Sequence, residues 1–161
     1  MEIKEFTKSG IKFIEVTNDE NFKVQLTDLG ASIYGIFIND IPMTLTTKDE
    51  KDFLKVSHYH GKTIGRYAGR IKDHQFELNN KIYITEENEP NKTLHSGPNG
   101  ISTKYFSYEI KEDDDASTLV IFKYHSPALE AGFPGNMDIA VSYIIKKGYE
   151  LEIRFEAICD E

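Results

Sequence analysis

The sequence predicts an all-β sandwich, and three observations carry that reading. Short apolar–polar alternating runs recur at regular spacing, each bounded by Gly, Asn, Asp or Pro. Aromatic residues are plentiful, with 9 Tyr and 10 Phe among 161 residues, and Ile, Val and Thr recur with them. No long segment shows a convincing helical period, and no 20–50-residue repeat is present.

Taken in order, Ile3–Thr7 and Ile11–Val16 read as a hairpin split by Ser9-Gly10. Phe22–Asp28 alternates Phe22, Val24 and Leu26 against Lys23, Gln25 and Thr27. Leu29-Gly30-Ala31 is a bend, and Ser32–Ile38 a buried strand. Pro42 keeps the next run off a central strand. Residues 43–62 are irregular, and Asp49–Lys55 predicts one or two helical turns in a surface connection. Gly61–Ile71 reads as a short β-prone run punctuated by glycines. Gln75–Leu78 and Lys81–Ile84 flank Asn79-Asn80, a tight-hairpin signature because Asn tolerates the left-handed conformation. Lys104–Lys111 and Ser117–Tyr124 form a further pair whose acidic tip, residues 112–116, is a solvated turn. Ser126–Asn136 is a Gly/Pro-rich loop. Met137–Ile145 and Tyr149–Ala157 close the chain as a last hairpin.

A chain of this length makes one domain or part of one, with enough residues to bury a core. Its net charge of −8 argues against nucleic-acid and anionic-membrane partners, which need a basic face. The single cysteine, Cys159, excludes an intrachain disulfide and reads as a small buried hydrophobe. No apolar run reaches membrane-spanning length and no signal pattern follows Met1, so a cytoplasmic location is expected. The sequence stops shortly after a strong strand. The reading therefore predicts that Tyr149–Ala157 pairs with a second copy or a companion chain.

Chemistry concentrates in GKTIGRYAGRI, residues 61–71, and PNKTLHSG, residues 90–97. Arg70 offers fixed donors and cannot act as a base near neutral pH, whereas His95 can accept or donate a proton. This pairing beside glycines suits a neutral polyhydroxyl or a carboxylate ligand. Arg66 reads as structural, supporting the glycine-rich run, and Tyr67 as a packing residue or, second to that, a cleft-lining one. Phe133-Pro134 reads as a cleft wall or loop core. His58 and His60 share spacing that could seed a metal site, but no further ligands stand nearby in sequence, so no metal is expected. His74 and His125 have no evident partner, and Glu86, Glu87 and Glu89 read as solvated loop carboxylates.

These two segments resemble the aldose 1-epimerase, or galactose mutarotase, family. Thr63–Ile71 matches a GRYANRI-like motif and Asn91–Gly97 an N-x-L-H-G-G-like motif. LTDLGASI at 26–33, FELNNKIYIT at 76–85, SPALEAGFPGN at 126–136 and the closing LEIRFEAICDE follow in family-like order. The resemblance implies a large antiparallel β-sandwich of the galactose mutarotase-like, supersandwich type. It would bind a hexose such as galactose or glucose and interconvert its α and β anomers, with no metal or organic cofactor. By the same resemblance Arg70 hydrogen-bonds sugar hydroxyls, and His95 binds the sugar close to its ring oxygen. Gly69 stands where the family usually has a sugar-binding asparagine, and Ser96 replaces the first glycine of the usual pair. Family members are much longer, and their second histidine, an aspartate and the glutamate base have no matching positions in this chain. Residues 1–161 are thus expected to be the N-terminal portion of the family domain. Their role is either half of an enzyme site, a non-catalytic carbohydrate-binding or assembly domain, or a truncated remnant.

Overall fold

A computed structural model describes residues 1–55, 59–113 and 116–160. Two antiparallel sheets face each other across one core. The first has sequential strands β1 (Glu2–Lys8), β2 (Ile11–Thr17), β3 (Phe22–Thr27), β4 (Ser32–Ile38) and the two-residue β5 (Ile41–Pro42). A single helical turn, α1 (Glu50–Phe53), follows, capped by Asp49, whose side chain accepts from the Lys51 amide at 2.8 Å. Then come β6 (Arg70–Lys72), β7 (Gln75–Leu78), β8 (Lys81–Ile84) and β9 (Lys92–Leu94), paired as β6–β9 and β7–β8. The second large sheet is β10 (Ser107–Asp113), β11 (Ser117–Ser126), β12 (Met137–Lys146) and β13 (Leu151–Cys159), again in sequential order.

The predicted all-β sandwich is therefore what the chain forms, and the local reasons hold. Ser9 and Gly10 both take positive φ, as do Asn79 and Asn80, so each hairpin turns where its residues permit. Alternation puts Val24 and Leu26 of β3 and Ile14 and Val16 of β2 against Val120 and Phe122 of β11 and Val141, Tyr143 and Ile145 of β12. The Tyr143 hydroxyl crosses the core and donates to the Ala31 carbonyl at 2.7 Å, bolting the second sheet to the bend after β3. Burial pushes that phenol up to about 12. β2 is buried on both faces, because Ile11 and Phe13 pack outward against Leu29, Tyr34 and Phe53. Phe53 is 2% exposed, so α1 plugs the outer face of the first sheet and is more than a surface connection.

Several expectations need correction. Of residues 61–71 only Arg70 and Ile71 are strand. The rest runs irregularly because its polar backbone groups bond to scattered partners and not along one strand: Gly61 O accepts from Ile33 at the start of β4, Thr63 N donates to Gly30 O, and Gly65 O accepts from Ile101. β10 begins at Ser107, since Lys104 closes a 3-10 turn over Ile101–Thr103. Cys159 is exposed, because it lies on the outermost strand of its sheet. His58 and the tip at Asp114-Asp115 lie outside the described residues.

Candidate functional site

The 61–71 segment carries two arginines into different surroundings. Arg66 turns inward over the Ser126–Asn136 loop. Its guanidinium donates to the carbonyls of Ser126, Pro127, Pro134 and Gly135 at 2.7–2.9 Å and to the Ser126 hydroxyl. The arginine is structural as expected, but what it holds is the 126–136 loop rather than its own segment. The same loop is pinned by Glu130, which accepts from Tyr124 Oη at 2.6 Å, from Ser126 Oγ and from Lys104 Nζ at 3.0 Å. Burial alone would raise the Glu130 carboxyl, but the hydrogen bonds from Ser126, Tyr124 and Lys104 outweigh it and hold it below the usual range. Gly132 closes the loop on β8: a Cβ there would stand 2.0 Å from the Ile84 carbonyl oxygen.

Beyond Arg66 the chain comes to the rim. The Tyr67 amide donates to Ser96 Oγ at 2.8 Å, and Ser96 Oγ donates back to the Tyr67 carbonyl at 3.1 Å. Ser96 is 1% exposed and has φ +66, flanked by His95 at +53 and Gly97 at +79. The position does need positive φ, and serine adopts it because its hydroxyl is clasped on both sides. Sequence reasoning weighed Ser96 only as a small substitute for glycine and missed this clasp, whose partner lies 29 residues away.

Gly69 and His95 exchange two hydrogen bonds. The His95 amide donates to the Gly69 carbonyl at 2.9 Å, and the Gly69 amide donates to His95 Nδ1 at 3.1 Å. An acceptor Nδ1 in a neutral imidazole places the proton on Nε2. Tyr59 braces the ring edge-on, with centroids 4.9 Å apart. The ladder then pairs Arg70 with Leu94, so the arginine stands one register step from the histidine.

Arg70 itself forms a fork with Glu89, Nε to Oε2 at 2.6 Å and Nη2 to Oε1 at 2.9 Å. That charge-assisted pair holds the Glu89 carboxyl below its usual range. The glutamates stay at the surface as expected but are tethered there: Glu86 accepts from Asn99 and Glu87 from the Asn91 amide. Next to the fork lies an open groove of about 520 Å³ walled by Tyr67, Arg70, Ile71, Phe76 and Phe133. Tyr67 is 46% exposed and lines this groove instead of packing. Phe133 stacks on Phe76 with centroids 5.6 Å apart, so it serves as both groove wall and loop core. His125, with no partner evident in sequence, bonds Asp138 at 2.7 Å across β11 and β12, on the far sheet. Among the described residues no three His, Cys, Asp or Glu side chains converge on a metal position.

The two-sheet antiparallel sandwich has the galactose mutarotase-like fold. The crystal structure of galactose 1-epimerase from Lactobacillus acidophilus NCFM superposes with a TM-score of 0.88 over 99% of this chain and 48% of that one, at 22% identity. The aldose 1-epimerase family model matches residues 12–161, and the chain belongs to that family. Aldose 1-epimerase from Haemophilus influenzae is 29% identical over 93% of this chain and 44% of its own length. Galactose mutarotase from Sus scrofa is 26% identical over 86% of this chain and 40% of its own length. The chain thus spans less than half the length of the curated relatives it matches.

Proposed function

We propose that this chain carries the sugar-contacting part of an aldose 1-epimerase site and binds a hexose such as galactose or glucose. The single observation behind the reading is the Gly69 amide bonded to His95 Nδ1, one register step from Arg70, which leaves Nε2 to carry the proton in the neutral ring. Such a donor suits a ring oxygen, and the guanidinium fork suits vicinal hydroxyls. Tyr67 offers an apolar ring face to one side of a pyranose. Residues 1–161 act as the N-terminal portion of the family domain, in the cytoplasm. No helix among the described residues is long and apolar enough to cross a membrane.

Anomer interconversion further requires a base for the anomeric hydroxyl and an acid for the ring oxygen. Each such positioned group contributes about 10²–10⁴-fold. Glu89 is the carboxylate paired with the rim arginine, and that pairing makes it a weak base. The rim residues thus account for contact with the sugar and not for both proton transfers.

The test is polarimetry of freshly dissolved α-D-galactose with this chain, beside an Arg70→Ala/His95→Ala control, together with calorimetric titration of galactose. Saturable binding that the double variant abolishes supports the reading. A mutarotation rate above buffer, lost in the same variant, would show the chain to be active alone. Absence of galactose and glucose binding up to their solubility limits would overturn it.

A further inference from the structure

Counted alone, Arg70 and His95 offer a sugar donors and nothing else. A guanidinium has five N–H groups and no acceptor. His95 spends its acceptor nitrogen, Nδ1, on the Gly69 amide, so the neutral ring has only a donor left. The neighbouring carbonyls of Tyr67 and Gly69 already accept from Ser96 Oγ and the His95 amide. A sugar hydroxyl both accepts and donates, and a hydroxyl hydrogen without an acceptor forfeits the bond it made to water. Glu89 is the acceptor at hand. Its fork to Arg70 uses two of the five N–H groups and one lone pair of each carboxylate oxygen. The remaining donors and lone pairs are open to water, with the Arg70 side chain 57% and the Glu89 side chain 30% exposed. The backbone of Glu89 is anchored by hydrogen bonds of 3.2 and 2.9 Å exchanged with Lys92 across the Pro90-Asn91 turn, where Asn91 takes φ +58. Its carboxylate also stands close enough to His95 to feel that ring's charge when it is protonated.

We propose that Glu89 is a sugar-contacting residue and that the Arg70–Glu89 fork holds one hexose hydroxyl from both sides. A spare Arg70 N–H donates to the hydroxyl oxygen, and the hydroxyl donates its hydrogen to a Glu89 oxygen. The inference rests on the hexose reading and gives that site a chemical preference. A neutral hydroxyl adds to the edge of the fork without breaking its charge-assisted bonds. An ether oxygen or a fluorine accepts but cannot donate, so it satisfies the arginine alone. A ligand carboxylate must either evict Glu89 from the fork or lie beside it, with Lys92 the nearby cation to offset the repulsion. Glu89 thus decides between the two ligand classes that arginine and histidine leave open, in favour of the neutral polyhydroxyl.

Calorimetric titration of the chain with galactose, its monodeoxyfluoro analogues and galacturonate tests this. Fluorine keeps a weak acceptor for the arginine and has no hydrogen to give. In the wild type, fluorination at one ring position is expected to weaken binding by at least about tenfold. Glu89→Ala should lose about as much affinity for galactose and bind that fluoro sugar no worse than galactose. The variant should also gain on galacturonate relative to galactose. Should Glu89→Ala fail to fold, Glu89→Gln, which keeps one oxygen and loses the charge, is expected to show the same shift toward galacturonate. A Glu89 variant that binds galactose as tightly as the wild type or more tightly, or fluorination losses equal in both proteins, would overturn the proposal and leave the hexose reading standing. A wild type that binds none of these sugars would remove the hexose reading and this inference with it.

Discussion

Arg66 and Arg70 stand four residues apart on one segment and do opposite things. Arg66 spends its donors on carbonyls of a loop some 60 residues on. Arg70 is exposed and engages a single carboxylate that can be exchanged for other acceptors. The difference lies in the acceptor. Main-chain carbonyls cannot move away without unfolding the loop, whereas Glu89 sits on a side chain that rotates. The inner arginine therefore belongs to stability and, under the proposed function, the outer one to recognition. The backbone between them, clasped by Ser96 and His95, keeps the two roles apart.

The largest expected effect lies at the inner end. Arg66→Ala removes every guanidinium bond to the 126–136 loop and leaves the Ser126, Pro127, Pro134 and Gly135 carbonyls without that partner. A loss of about 3 kcal/mol is expected in urea denaturation. A loss under about 1 kcal/mol would erase the distinction between the two arginines. Next comes the acid limb of stability. The Glu130 carboxyl is held below its ordinary value of 4.5, so its contribution is complete above that value and is lost as pH falls through the lower folded-state pKa. Glu130→Gln should flatten the stability profile below about pH 4.5 and lower stability at neutral pH, where the carboxylate's bonds are missing. The smallest stability effect belongs to the rim. Arg70→Ala breaks an exposed pair and should cost under about 1 kcal/mol. Under the proposed function it should weaken galactose binding by at least about tenfold, read by calorimetry.

What could be read from the sequence was local. The Ser9-Gly10 and Asn79-Asn80 turns and the alternation in Phe22–Thr27 depend on neighbours one to four residues away, and all form as expected. The segment pair that builds the rim was legible through its motif residues. What escaped was set by distant partners. The 61–71 run is not a strand, because its hydrogen bonds go to Gly30, Ile33 and Ile101 and not to one neighbouring strand. Tyr67 stays exposed because its backbone, and not its ring, is anchored. Glu89 reads as one more solvated carboxylate until β6 and β9 bring Arg70 beside it. No periodicity or composition encodes such a meeting.

The bond from the Gly69 amide to His95 Nδ1 has a consequence for how the chain tolerates mutation. The proton position on the histidine is set by a main-chain group, so it is indifferent to which side chain position 69 carries. Only proline, which has no N–H, would abolish it outright. A side chain would still meet difficulty there, because φ is +117, although the nearest atom to a Cβ, in the Tyr67 ring, is 3.6 Å away. The trait is thus inherited separately from the residue. A lineage could gain or lose a sugar-contacting group at position 69 while the histidine beside it keeps its tautomer.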